Sequence, residues 1–161
     1  MQSTDIKYLV KIEGDNAFLK IMGKACYLNC RNVSEFFGTV CERNCKTLFI
    51  DFTDCTGMDS TFMGMIAGVA LRLRKKQAEV TLQNLKGRNL QLIENLGIYK
   101  LVNIKDCIDD IVVEQKLEAS SVSGESMLKA HEDLIKANSS NLEKFEDVIS
   151  FLKKEVEQKN Q

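Results

Sequence analysis

The stretch from Lys46 to Leu71 constrains the fold more than any other part of the chain. Lys46-Thr47-Leu48-Phe49-Ile50-Asp51-Phe52 is a short, almost continuously apolar run, as expected of a strand buried on both faces of a sheet. A polar turn, Thr53 to Gly57, separates it from a segment, Met58 to Leu71, that is apolar almost all round. That segment reads as a buried helix with Asp59 or Ser60 as its cap. The basic residues Arg72, Arg74, Lys75 and Lys76 follow, at the end where a helix dipole favours cations. Gly64 and Gly68 fall inside the helix, where close packing against a neighbour is the natural explanation.

The rest of the chain repeats the strand–helix pattern. Ile6, Tyr8, Val10 and Ile12 alternate with polar residues at a period of two, which marks a half-buried strand. Gly14-Asp15-Asn16 supplies a turn, and Ala17 to Met22 is the returning strand of a hairpin. Asn29 to Asn32 offers caps for a helix carrying Val33, Phe36, Phe37 and Val40 at helical spacing. Val80-Thr81-Leu82 and Leu101 to Ile104 are further strands. Between them, Leu90, Ile93 and Leu96 mark a short helix stopped by Gly97. Asp106 is expected to cap a helix bearing Ile108, Ile111 and Val112. Strands alternating with helices after an opening hairpin predict an α/β layer, a mixed sheet with helices packed mainly on one side.

The expected organisation is a domain over 4–115, a small polar linker over 116–125 and a C-terminal helical hairpin over 126–158. In the hairpin, Leu128, His131, Leu134 and Ile135 form one stripe, and Leu142, Phe145, Ile149, Leu152 and Val156 form a second. Ser140 with Glu143 matches a capping box between them. Two such helices cannot bury themselves, so they pack back on the domain or form a homodimer with a second copy.

Bulk properties remove several functions. A net charge of −1 gives no general attraction to nucleic acid or anionic lipid. No apolar run approaches the roughly 20 residues a membrane span needs. Met1-Gln2-Ser3-Thr4-Asp5 has neither the basic start nor the apolar core of a signal peptide, so a cytoplasmic location is expected. The six cysteines include two pairs at a spacing of four, Cys26/Cys30 and Cys41/Cys45. A helix between Cys30 and Cys41 would hold these pairs roughly 16 Å apart at 1.5 Å per residue, too far to share a metal. Reduced thiols acting as small apolar side chains are expected instead of a zinc or redox centre, and no cofactor is implied.

Enzyme templates find little support. The single histidine, His131, reads as an ordinary residue of the tail helix, and without it no Ser-His or Cys-His pair can be assembled. There is no Gly-rich phosphate loop. The turn leading to Asp59-Ser60 remains. The first residues of a helix present unpaired N–H groups and partial positive charge. A phosphate on Ser60 would sit in that field and add about −1.5 to −2 units of charge. Otherwise Asp59 and Ser60 simply cap the helix.

Leu48 to Phe52 followed by Met58-Asp59-Ser60-Thr61-Phe62-Met63-Gly64-Met65-Ile66 resembles the signature of the STAS domain family, of sulphate transporters and anti-sigma factor antagonists. Asn95-Leu96-Gly97-Ile98-Tyr99-Lys100-Leu101 resembles that family's later Leu-Gly-hydrophobic segment, and the likeness spans about Ile6 to Glu114. The resemblance implies the STAS fold and a non-enzymatic regulator. It implies phosphorylation at Ser60 by a serine kinase that is itself the anti-sigma factor. It also implies a partner surface at Asp59, Thr61, Phe62, Met63 and Cys26. A constitutive scaffold or transporter-associated subunit is the alternative. Phe62 stands where the antagonists usually have glycine, placing a ring next to Ser60. Cys26 stands where the family frequently has an acid.

Overall fold

The computed structural model describes residues 6–107, 113 and 115–159. Strands β1 (Lys7–Glu13) and β2 (Asn16–Ala25) form an antiparallel hairpin in which Glu13 faces Asn16 across the tight Gly14-Asp15 turn. Helix α1 (Arg31–Glu42) leads to β3 (Thr47–Met58), and α2 (Ser60–Lys75) leads to β4 (Glu79–Gln83). Helix α3 (Gly87–Asn95) and a 3-10 turn (Ile98–Lys100) precede β5 (Asn103–Lys105). The sheet order is β5-β4-β3-β2-β1-β6, with β6 at Gln115–Leu117. β2 through β5 pair in parallel, and β6 closes antiparallel on β1. The sheet is therefore mixed.

Burial follows from the alternation along each strand. Ala17, Leu19 and Ile21 on β2 and Leu48, Ile50 and Phe52 on β3 are buried. They pack with Val33, Phe37 and Val40 of α1 and with Phe62, Ile66, Val69 and Leu73 of α2. The α1 stripe and the all-round apolar α2 thus lie where their periodicities place them. Arg72, Arg74 and Lys75 occupy the last turn of α2.

Several local expectations are corrected. β3 does not stop at Phe52 but runs through the polar Thr53–Gly57 segment to Met58. There it pairs with β2 with register shifts after Lys20 and after Gly23, and such irregularities let polar residues stay in a strand. β5 begins at Asn103, because Ile98–Lys100 is taken up by the 3-10 turn. The cap of α1 is Cys30, without a side-chain hydrogen bond. Asn29 instead donates to the Lys24 carbonyl and accepts from the Tyr8 hydroxyl (2.6 Å) and the Cys26 amide (3.0 Å). The helix expected at Ile108, Ile111 and Val112 lies outside the described residues.

Segment 116–125 is not a free tether. It supplies β6, and its backbone is tied to the start of α1. Arg31 N donates to Ser120 O, Asn32 Nδ2 to Glu118 O, and Val122 N to Tyr27 O. Helix α4 (Gly124–Ala137) follows, with Ser123 capping through the Ser126 amide, and then α5 (Asn141–Lys159). At the turn between them, Ser140 donates its hydroxyl back to Asn138 Oδ1. No helix among the described residues is long and apolar enough to cross a membrane.

Candidate functional site: the Asp59-Ser60 corner

The corner arises because β2 and β3 run parallel and end side by side, with Ala25 opposite Met58. In open α/β sheets, ligands and partners engage the crevice at the carboxyl ends of such strands. Both chains turn there into helices, so the N-termini of α1 and α2 face the same rim. The Asp59 amide donates to the Ala25 carbonyl at 3.1 Å. Asp59 is the N-cap of α2, with Oδ1 accepting from the Phe62 amide at 2.9 Å and Oδ2 from the Tyr27 amide at 2.8 Å. One carboxylate therefore caps the helix and fastens the loop after β2 to it. Both of its oxygens are engaged by backbone donors, so Asp59 shapes the corner.

Replacing Asp59 with alanine should lower unfolding stability by about 2 kcal/mol, the upper part of the N-cap range, since it orphans two amides at once. Urea unfolding checks this, and Asp59→Asn should recover part of the loss.

Ser60 is the first residue of α2 and is partly exposed. Its hydroxyl lies 2.9 Å from His131 Nε2 of α4. His131 Nδ1 sits 2.7 Å from the Met127 carbonyl, which only accepts, so Nδ1 carries a hydrogen. In the neutral ring Nε2 is then bare and accepts the Ser60 hydroxyl proton. The imidazole is 3% exposed and meets Phe145 edge-on at 5.4 Å. The tail histidine is therefore part of the corner, whereas its sequence context alone reads as that of an ordinary helix residue.

Three of the residues expected on the partner surface are withdrawn from it. Thr61, Phe62 and Met63 are all buried. The Phe62 ring is fully covered and stacks on Tyr8 at 6.3 Å, pointing beneath α2 rather than across Ser60. Its position one turn into a helix with a buried underside explains this: the side chain opposite the rim faces the sheet. Burial pushes the Tyr8 phenol far above its usual range, so it remains an O–H donor to Asn29. Cys26 stays at the rim with partial exposure, and beside it Tyr27 and Leu28 are exposed, at 43% and 60%. These two residues were missed in the sequence, where no periodic element marks them.

None of the six cysteines is joined in a disulfide. Cys30 is buried against Met65, with Sγ 3.5 Å from Sδ, and burial pushes its thiol up to about 12. It is a protonated core residue at neutral pH. Cys41 and Cys45 lie at the far end of α1, and both are buried.

The tail lies beside this corner, over α2. A methyl group added at Gly64 would fall on the Ala130 carbonyl, and one at Gly68 on the Asp133 carboxylate. Gly64 lets the α4 backbone approach to contact, and Gly68, a turn further on, makes room for the Asp133 carboxylate. Ile149 and Leu152 of α5 are buried on α4, whereas Leu142 is exposed.

A mixed sheet with a buried helix capped by Asp59 and opening on Ser60 defines a small α/β domain. The family model described as the STAS domain matches residues 7–111, and the chain belongs to that family. Anti-sigma-B factor antagonists of Listeria monocytogenes and Listeria innocua are each 37% identical to it over 59 residues. That match covers 37% of this chain and 52% of each relative, so the chain spans about half the length of these curated relatives. Among solved structures, an anti-sigma factor antagonist from Mycobacterium paratuberculosis superposes with a TM-score of 0.59 at 16% identity, covering 68% of this chain and 94% of that one. The Bacillus cell fate determinant SpoIIAA in its phosphorylated form gives 0.55 at 13%, covering 63% and 92%. These structures share the fold.

Proposed function

We propose that this chain is a cytoplasmic regulator of the anti-sigma factor antagonist type, switched at Ser60 by a serine kinase that is also its binding partner. The observation that carries the reading is Ser60 itself. It is a partly exposed hydroxyl at the first position of the 16-residue α2, held at the strand ends by the Asp59 cap. Curated relatives named as anti-sigma factor antagonists support the partner class. The binding surface is the rim of Cys26, Tyr27, Leu28 and Ser60, where two exposed apolar side chains adjoin a modifiable hydroxyl. A phosphate there would gain from the helix N-terminus but place about −1.5 to −2 charges beside that apolar rim, which disfavours partner burial. The chain acts by binding and has no catalytic role.

Incubating the chain with its kinase and ATP should add one phosphate by intact mass, and Ser60→Ala should abolish the addition. Ser60→Asp should weaken binding at least about tenfold, or 1.4 kcal/mol. A wild-type chain that takes no phosphate would sink the switch. The second reading, a constitutive STAS scaffold or transporter-associated subunit, draws on the hydroxyl being already engaged by His131. Full partner binding by Ser60→Asp would favour it.

A further inference from the structure

The α4–α5 hairpin lies over the α2 face next to the rim, and its seat has two parts of different character. One part is steric: Gly64 receives the Ala130 backbone and Gly68 the Asp133 carboxylate. The other is polar. Six buried side chains among the described residues are polar or charged, and His131, Asp133 and Asn141 of the hairpin are three of them. Asp133 is held by Lys129 at 3.2 Å and Lys136 at 3.8 Å. Asn141 donates to the Leu96 and Leu134 carbonyls, but its Oδ1 has no partner. An interface that buries a carboxylate, an imidazole and an unsatisfied amide oxygen resembles a releasable contact more than a domain core.

We infer that the hairpin occupies the α2 face in cis and that His131 makes its seating depend on a free hydroxyl at Ser60, so that phosphorylation expels it. The inference rests on Ser60 being the phosphoacceptor. In the transfer the Ser60 oxygen bonds to the γ-phosphorus of the kinase's nucleoside triphosphate. The bridging β–γ bond breaks to leave the diphosphate, and the hydroxyl proton departs to water. The ester oxygen that remains has no hydrogen to give, so the bond to Nε2 is lost. A dianionic group must also be placed against His131, which is almost fully covered. Release of the hairpin relieves both and uncovers the α2 face. Modification therefore exchanges one exposed surface for another: the rim acquires charge while the α2 face is laid open.

Hydrogen exchange on the full chain tests this without any kinase. Phosphoserine is installed at position 60 by nonsense suppression, and Ser60→Asp and Ser60→Ala are made alongside. Amides of 124–137 and 141–159 should exchange about tenfold faster or more with phosphoserine, and nearly as fast in Ser60→Asp. Those of β2, β3 and β4 should keep wild-type protection, and Ser60→Ala should lie between. Wild-type protection of α4 in the phosphoserine protein would overturn the inference, because the imidazole would then be holding the phosphate in place. If the charged variants lose the sheet as well, His131→Asn decides. Faster exchange confined to the hairpin supports the coupling, and no change removes it. A chain that fails to accept phosphate from its kinase while showing this exchange pattern would refute the function proposed above and leave the coupling standing.

Discussion

Phe62→Ala should destabilise the chain by about 3–5 kcal/mol, the range for emptying a fully buried aromatic site. The ring is 0% exposed and stacks on Tyr8, itself 1% exposed and fixed through its hydroxyl to Asn29. Truncation removes the apolar burial and leaves a cavity under the first turn of α2. Collapse is hindered because Tyr8 is tied to Asn29, which also fastens the loop after β2. Denaturant unfolding should show the midpoint falling with little change in slope. A loss under about 1 kcal/mol would mean that the site refills, contrary to the packing described. Phe62→Leu, which keeps most of the volume, should cost markedly less. The position that the antagonists usually fill with glycine is here a core position.

Gly64→Val should unseat the hairpin. A residue with a Cβ gains up to about 1 kcal/mol of intrinsic helix stability over glycine, so on a free helix face the change would be favourable or neutral. Here the added atom meets the Ala130 backbone carbonyl, which cannot rotate away as a side chain can. The collision outweighs the propensity gain, and the expected net loss is about 3 kcal/mol, the upper end for overpacking. That loss should appear first as protease sensitivity between 118 and 123, where the chain leaves β6, with the sheet still protected. Equal sensitivity of wild type and variant would show that α4 does not need the glycine seat.

The strand–helix unit from Lys46 to Leu71, the opening hairpin and the α1 stripe were legible because their signals are local and periodic. Residue type and position narrowed the α2 cap to Asp59 or Ser60, and the structure puts Asp59 there. What escaped is non-local or directional. Strand β3 continues through Thr53–Gly57 because β2 is there to pair with it. β6 forms inside a small, polar stretch because β1 offers an open edge. Thr61, Phe62 and Met63 were expected at the rim from the family resemblance, yet helical geometry turns them inward. The contact between Ser60 and His131 spans 71 positions, so no spacing rule could give it. One signal was present: a histidine on the apolar stripe of Leu128, Leu134 and Ile135 implies a buried imidazole, and a buried imidazole needs a partner.

Gly68 also bears on how a tail of this kind is inherited. Gly64 lies within the segment that resembles the family signature, so a glycine there says nothing about the tail. Gly68, one turn further on, is free in a bare domain to drift toward better helix formers. A chain carrying a docked fourth helix loses that freedom at Gly68, because a side chain there meets the Asp133 carboxylate. Related sequences should therefore divide into those that keep a small residue at this position together with a histidine-bearing tail and those that have lost both. A glycine one turn beyond the signature would mark, from the domain alone, which members keep their α2 face covered.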